Sequence, residues 1–351
     1  MIDIINDAVP YAGLVICAYA LLSNRVCTTK RVVVFNFALF VAIYVLLVFV
    51  DSMGHEPAVL KVIVRCLILI VTINIIIRNP AANKAVFKEY EMSVKEIQRS
   101  LGVTADGAWG NKSQAALDNS PKWLNLSFDK LRSYFGRLTP SQVQGFNNTL
   151  AVINTFVDAK GKKAAKNPLY LAYMLATKWH ETARTMQPIE EYGNGKGRPY
   201  GTWLTNSNGV KYCQAVGGKN PYFYTFADYP HLYYGRGDVQ LTWLDNYIKM
   251  TKKINAYIDR NPACGLAHVD LANNPAQACD PTIAALVMVI GMLDGDFTGL
   301  GLNECIRWGS RGEFVAARRI INGTNEDDRI ADYAVKFLDC IILSEPPSLA
   351  N

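Results

Sequence analysis

The chain has 351 residues, half of them hydrophobic and only 19% charged, which is lean in charge for a soluble enzyme. Lys and Arg number 36 against 30 Asp and Glu, a net charge of +6. That charge is modest, no nucleic-acid motif accompanies it, and nucleic acid is not an expected partner.

The surplus of apolar residues lies at the front. Ala8 to Asn24 is a 17-residue uncharged stretch containing Pro10, and Val32 to Val50 is 19 residues without a charge. Ala58 to Ile77 is 20 residues, interrupted by Lys61 and Arg65 but strongly apolar from Cys66 onward. Each is long enough, or nearly so, to cross a bilayer, and three transmembrane helices within residues 1–80 is the simplest expectation. Interfacial amphipathic helices are the alternative for the first and third. Acids (Asp3, Asp7) rather than a basic cluster precede the first, which argues against a cleaved signal peptide. Arg25, Lys30 and Arg31 fill the first loop, Asp51 and Glu56 the second, and Arg78, Lys84 and Lys88 follow the third span. The positive-inside rule then places the N-terminus outside and the start of the C-terminal region on the cytoplasmic side. Before residue 80, six Lys and Arg against four Asp and Glu leave +2, so part of the net charge belongs to the membrane flanks.

Residues 81–125 form a second region, expected to be helical and linking. Val94 to Leu117 (VKEIQRSLGVTADGAWGNKSQAAL) reads as a helix, a tight turn at Asp106-Gly107, and a short helix. Trp109 is placed either to pack as core or to stack on sugar. Asn119-Ser120-Pro121 and the basic run Lys160 to Lys166 read as loops.

The third region, 126–345, carries the chemistry. From Leu171 to Gln187 the residues Leu171, Met174, Leu175, Trp179, Thr182 and Met186 recur at helical spacing, which predicts a helix ended by Pro188. Glu181 falls on the shoulder of its buried face beside Met174 and Lys178, partly desolvated, as suits a proton donor. The plain alternative is a surface glutamate paired with Lys178 or Arg184. Two further carboxylates, Glu190 and Glu191, follow about ten residues later, and adjacent side chains there point in different directions. Two carboxylates at such spacing suit acid/base cleavage of a sugar polymer, one protonating the leaving oxygen and one activating water. Next, Tyr233-Tyr234-Gly235-Arg236-Gly237 leads into Val239 to Trp243. Alternation sends Val239, Leu241 and Trp243 to one face and Gln240 and Thr242 to the other, which predicts a short half-buried strand. The four histidines (His55, His180, His231, His268) are scattered without metal-ligand spacing, so no metal is expected and His180 reads as a structural hydrogen-bonding residue. The eight cysteines make no disulfide framework. Cys264 and Cys279 bracket a short loop that an oxidising periplasm would allow to bond, but free buried thiols are the expectation.

Four blocks carry a family resemblance: Leu131 to Leu150, Leu171 to Gly193 (LAYMLATKWHETARTMQPIEEYG), Tyr233 to Tyr247 (YYGRGDVQLTWLDNY) and Ala317 to Leu338 (ARRIINGTNEDDRIADYAVKFL). In this order they resemble the family 19 glycoside hydrolases, the chitinase-like group, and best its phage endolysin-type members. The resemblance implies a mainly α, lysozyme-like catalytic domain with a small β element. It implies Glu181 as general acid and Glu191 as base, with Glu190 the alternative, acting with inversion and without a cofactor. It further implies a substrate wall of Tyr234, Arg236, Gln240, Thr242, Asn246 and Asn322. Val94 to Leu117 is similar to the second half of a peptidoglycan-binding domain 1 repeat, and implies either wall binding or a structural connector. The three spans resemble a phage holin in architecture alone, which implies self-association in the lipid bilayer. Together these predict a multi-pass inner-membrane lysis protein acting on periplasmic peptidoglycan, with a virion membrane as the other setting. The rival expectations are a chitinase, and a membrane protein whose hydrolase-like domain only binds the wall.

Overall fold

The computed structural model describes residues 92–347, apart from 219 and 322. The three expected spans lie outside the described residues, and among those described no helix is long and apolar enough to cross a membrane. Everything described falls within one compact unit, Val86–Asn351.

The unit is mainly helical. Helix α1 covers 92–100 and is followed by α2 (Asn111–Asn119), β1 (Trp123–Leu126), α3 (Phe128–Phe135), α4 (Pro140–Thr155) and α5 (Pro168–Glu181). A β-rich middle comes next: β2 (Ile189–Glu190), β3 (Leu204–Thr205), β4 (Lys211–Gln214), β5 (Phe223–Thr225) and β6 (Arg236–Gly237). The chain then returns to helix in α6 (Leu244–Arg260), α7 (Pro281–Asp294), the short α8 (Leu302–Cys305), α9 (Arg311–Ala317) and α10 (Asp327–Cys340), and closes on β7 (Ile341–Ser344). β3, β4 and β5 form an antiparallel three-stranded sheet, β2 pairs with β6, and β1 pairs with β7 from Trp123↔Ser344 to Leu126↔Ile341.

The major helices start where local chemistry tells them to. Thr139 and Gln142 form a capping box before Pro140, and the side chain of Asn167 accepts from the amides of Leu169 and Tyr170 ahead of α5. Asp280 does the same for Thr282 and Ile283 ahead of α7. Each of these helices has proline in its first turn, where a missing N–H costs nothing.

Helix α5 is the axis of the core. Its residues Leu169 and Leu171 through Trp179 are buried all round rather than along one stripe, since α10, α4 and the β6 turn enclose it. At its C-terminal end Trp179 meets Phe135 at 5.0 Å between ring centroids and Phe146 at 6.2 Å, while Phe337 of α10 stacks on Phe135 at 4.7 Å. This aromatic cluster anchors the turn that presents Glu181.

Two details differ from the sequence expectation. Helix α5 stops at Glu181, well before Pro188. Thr182 ends it: its hydroxyl donates to the Lys178 carbonyl at 2.7 Å and accepts from the Met186 amide at 3.2 Å. Ala183, Arg184 and Met186 then take positive φ. The resulting loop lies so close to α4 that a Cβ at Gly145 would overlap the Met186 carbonyl. Side-chain capture of backbone groups of this kind competes with helix continuation. The second difference is in residues 92–125, which belong to the same hydrophobic core as the helices after them, through Val94, Ile97, Trp109 and Leu117. Trp109 is 3% exposed, and its Nε1–H donates to Gln114 Oε1 at 3.0 Å. Gln114 in turn donates to the Lys166 carbonyl, and the buried Lys166 ammonium reaches the Leu117 carbonyl at 3.3 Å. Of the two placements open to Trp109, the structure shows the core.

Candidate active site

Glu181 is the last residue of α5 and its side chain is 16% exposed. Among the described residues neither Lys178 nor Arg184 is its partner. Arg318, from the 3-10 turn Arg318–Ile320, donates through Nη1 to Glu181 Oε1 at 2.6 Å. Arg318 is itself buried, and its Nε–H donates to the Asn325 carbonyl at 3.1 Å, which holds the guanidinium in place. A charge-assisted bond of this kind is among the strong ones in a protein. Sequence reasoning missed Arg318, although it sits in the block Ala317 to Leu338, four residues before Asn322. Asn322 lies outside the described residues.

His180 precedes the acid. Burial holds its imidazole below the usual histidine range, partly opposed by the neighbouring Glu181 carboxylate.

The other two carboxylates sit at the β2–β6 pair. Register sets Glu190 opposite Arg236, and the Glu191 amide donates to the Gly235 carbonyl at 2.7 Å. Glu190 accepts from Arg236 Nε at 2.8 Å and from the Tyr234 hydroxyl at 3.1 Å. The Arg236 guanidinium lies 3.7 Å from the Tyr234 ring centroid and also donates to the Tyr247 hydroxyl at 3.2 Å. Among the described residues Glu191 accepts from neutral donors, the Tyr200 hydroxyl at 3.0 Å and the Gly235 amide at 3.1 Å. Burial pushes the Tyr200 phenol up to about 12, with the bond to Glu191 adding to it, so Tyr200 stays a donor at neutral pH. The two glutamates thus differ in kind. Glu190 is paired with Arg236, whereas Glu191 accepts from a hydroxyl and an amide.

The segment Val239 to Trp243 is a turn and not the expected strand. Gln240 and Trp243 have φ of 54° and 77°, which no strand contains. The turn is forced by what surrounds it. At Gly237 (φ 85°) a Cβ would come 2.6 Å from the Ala278 carbonyl, and Gln240 Nε2 reaches the Ile189 carbonyl of β2 at 3.1 Å. The Thr242 hydroxyl donates to the Gln240 carbonyl at 2.8 Å, and Asn246 Nδ2 donates to the Thr242 carbonyl at 2.8 Å. Tyr234, Arg236 and Gln240 therefore gather with Glu190 and Glu191 around β2 and β6. Thr242 and Asn246 are spent on the loop and the first turn of α6. The Tyr200 ring abuts Trp243 edge-on at 4.9 Å, joining that turn to Glu191.

Helix α5 is tied to the β6 turn by a fully buried ion pair, Lys178 Nζ to Asp238 Oδ2 at 2.8 Å, with both side chains 0% exposed. Lys178 lies three residues before Glu181, and Asp238 directly follows β6.

Among the described residues no group of three or more His, Cys, Asp and Glu is arranged to hold a metal ion. The described cysteines are free thiols: Cys213 and Cys340 are buried, and Cys264, Cys279 and Cys305 are half-buried.

No family model matches the chain, and no curated protein matches it. Among solved structures, chitinase C from Streptomyces griseus HUT6037 aligns with a TM-score of 0.37 and 18% identity, over 64% of this chain and 80% of that one. A mutant of chitinase C aligns with a TM-score of 0.35 and 19% identity over the same shares.

Proposed function

We propose that the protein is a glycoside hydrolase that cuts β-1,4 bonds of bacterial peptidoglycan with inversion at the anomeric carbon. The observation that carries this reading is the presence of two carboxylates in unlike settings, one ending α5 and one beside the β2–β6 pair. Glu181 is bound by the buried Arg318 guanidinium, and Glu191 accepts from the Tyr200 hydroxyl and the Gly235 amide. In the proposed reaction Glu181 protonates the glycosidic oxygen, Glu191 deprotonates a water on the opposite face of the sugar, and the bond breaks by single displacement. Tyr200 and the Gly235 amide hold Glu191, while Arg236 and Tyr234 hold the neighbouring Glu190 and Gln240 holds the Ile189 carbonyl.

The sequence of residues 1–80 supports a membrane setting for this activity. In that setting three spans hold the enzyme at the host inner membrane and associate with one another, and the hydrolase reaches the wall at lysis through the lesion they form.

Digestion of purified peptidoglycan and of chitin by the full chain, read by mass spectrometry, tests the reaction. New reducing ends on peptidoglycan support it and identify the bond. Cleavage of chitin alone would make the protein a chitinase, and uncut glycan in both would leave a wall-binding domain.

A further inference from the structure

Lys178 and Asp238 stand apart from every other charged pair described. Both side chains are fully buried, and the ammonium bridges three elements: it lies 2.8 Å from Asp238 Oδ2 and donates at 3.0 Å to the Thr149 hydroxyl of α4. That hydroxyl passes the link on to the Gly145 carbonyl at 3.0 Å. Among the described residues the ion contact is the partner of the Asp238 carboxylate, whose two oxygens have no well-directed hydrogen bond there. Burial pushes the Asp238 carboxyl up, against the pull of Lys178. Taking two charges out of water with so few compensating bonds is costly, and apolar residues of similar volume commonly serve stability as well or better. The pair is therefore poorly explained as a stabilising device.

Its position suggests what it does. Lys178 is one turn before Glu181. Asp238 adjoins Gly237, which pairs with Ile189, and Ile189 precedes the two glutamates. The route from acid to base through the covalent chain runs across the 183–188 loop with its three positive-φ residues; the route through Lys178–Asp238 is short and buried. We propose that Lys178 and Asp238 are positioning residues that pin the end of α5 to the β2–β6 pair and so fix Glu181 in register with the second carboxylate. This rests on the hydrolase reading given above.

The test uses the full chain carrying Lys178→Met with Asp238→Leu, which removes both charges and keeps an apolar contact. Pinning predicts a melting temperature no lower than the parent's, KM for solubilised peptidoglycan strands within about twofold, and kcat reduced about a hundredfold, as a displacement of roughly 1 Å would cause. A double variant whose kcat stays at the parental level, whatever its melting temperature, would overturn the inference. If the double variant fails to fold, Asp238→Asn, assayed below its melting temperature, carries the same expectation: kcat lowered with KM unchanged, against parental kcat. Should the parent cut no glycan, the hydrolase reading fails, and amide hydrogen exchange then decides. Faster exchange at 180–184 and 189–191 in the double variant, with α10 unchanged, supports pinning, and unchanged exchange at both segments overturns it.

Discussion

Replacing Glu181 with glutamine removes the proton and keeps the shape. The amide of Glu181→Gln still fills the space at the end of α5 and still offers Arg318 an oxygen, so the fold is retained. A hydrogen bond to a charged acceptor contributes about 1.5–3 kcal/mol and one to a neutral acceptor about 0.5–1.5 kcal/mol. The 2.6 Å contact from Arg318 should therefore weaken by about 1 kcal/mol on substitution, which lowers the melting temperature of a domain this size by about 2–4 °C. The catalytic loss is far larger. A positioned proton donor is worth roughly two to four orders of magnitude in rate, or about 3–5.5 kcal/mol of barrier. Reducing-end release from peptidoglycan gives the rate, and a thermal melt on the same preparation gives the stability. Near-parental turnover by a folded Glu181→Gln protein would remove Glu181 from the mechanism, and the Arg318 pair would then be only a helix-end tie.

Glu191→Gln should lower turnover far more than Glu190→Gln, because Glu190 is engaged by Arg236, and azide should rescue the Glu191 variant as an inverted glycosyl azide; a dead Glu190 variant beside an active Glu191 variant would exchange their roles. Trp109→Ala should cost about 3–5 kcal/mol in urea unfolding as a core truncation, while Trp109→Phe should leave pelleting with peptidoglycan unchanged; release from the wall at equal stability would mean that the indole touches sugar. The imidazole of His180 titrates below its ordinary 6.5 in the folded protein. The unfolded chain therefore binds the proton first as pH falls, and stability present above about 6.5 is lost as pH drops through the folded value. His180→Gln should flatten that part of the stability profile, and an unchanged slope would refute the assignment. A C-terminal reporter that works only in the cytoplasm should be active before lysis, and activity of alkaline phosphatase fused at that position would reverse the proposed topology.

The helical character of the domain was legible in the apolar spacing of α5, which is a local signal. The sequence also marks Glu181, Glu190 and Glu191, which occur in dense blocks of unusual residues and whose catalytic roles are proposed above. Three features were not legible. The end of α5 depends on a threonine hydroxyl captured by the backbone and on the close approach of Gly145 to the loop, and periodicity registers neither. Val239 to Trp243 alternates like a strand, but Gly237 and Gln240 are packed so closely against neighbouring backbone that a turn results. The partners of the charged groups depend on contacts between distant residues: Arg318 finds Glu181 across 137 positions, and Lys178 turns away from Glu181 to Asp238. Helical spacing places a side chain on a face but is silent about what another part of the chain brings to it.

The pairing of β1 with β7 has a consequence in time. Leu126 cannot find Ile341, nor can Trp123 find Ser344, until the ribosome has made and released more than two hundred intervening residues. Helix α5 waits for the same event, because α10 is its principal packing partner and runs directly into β7. Arg318 arrives late as well. A nascent chain thus carries all three glutamates long before it can assemble them, and closure of this long loop is slow by its topology. Under the function proposed above, activity would appear only once α10 and β7 are in place.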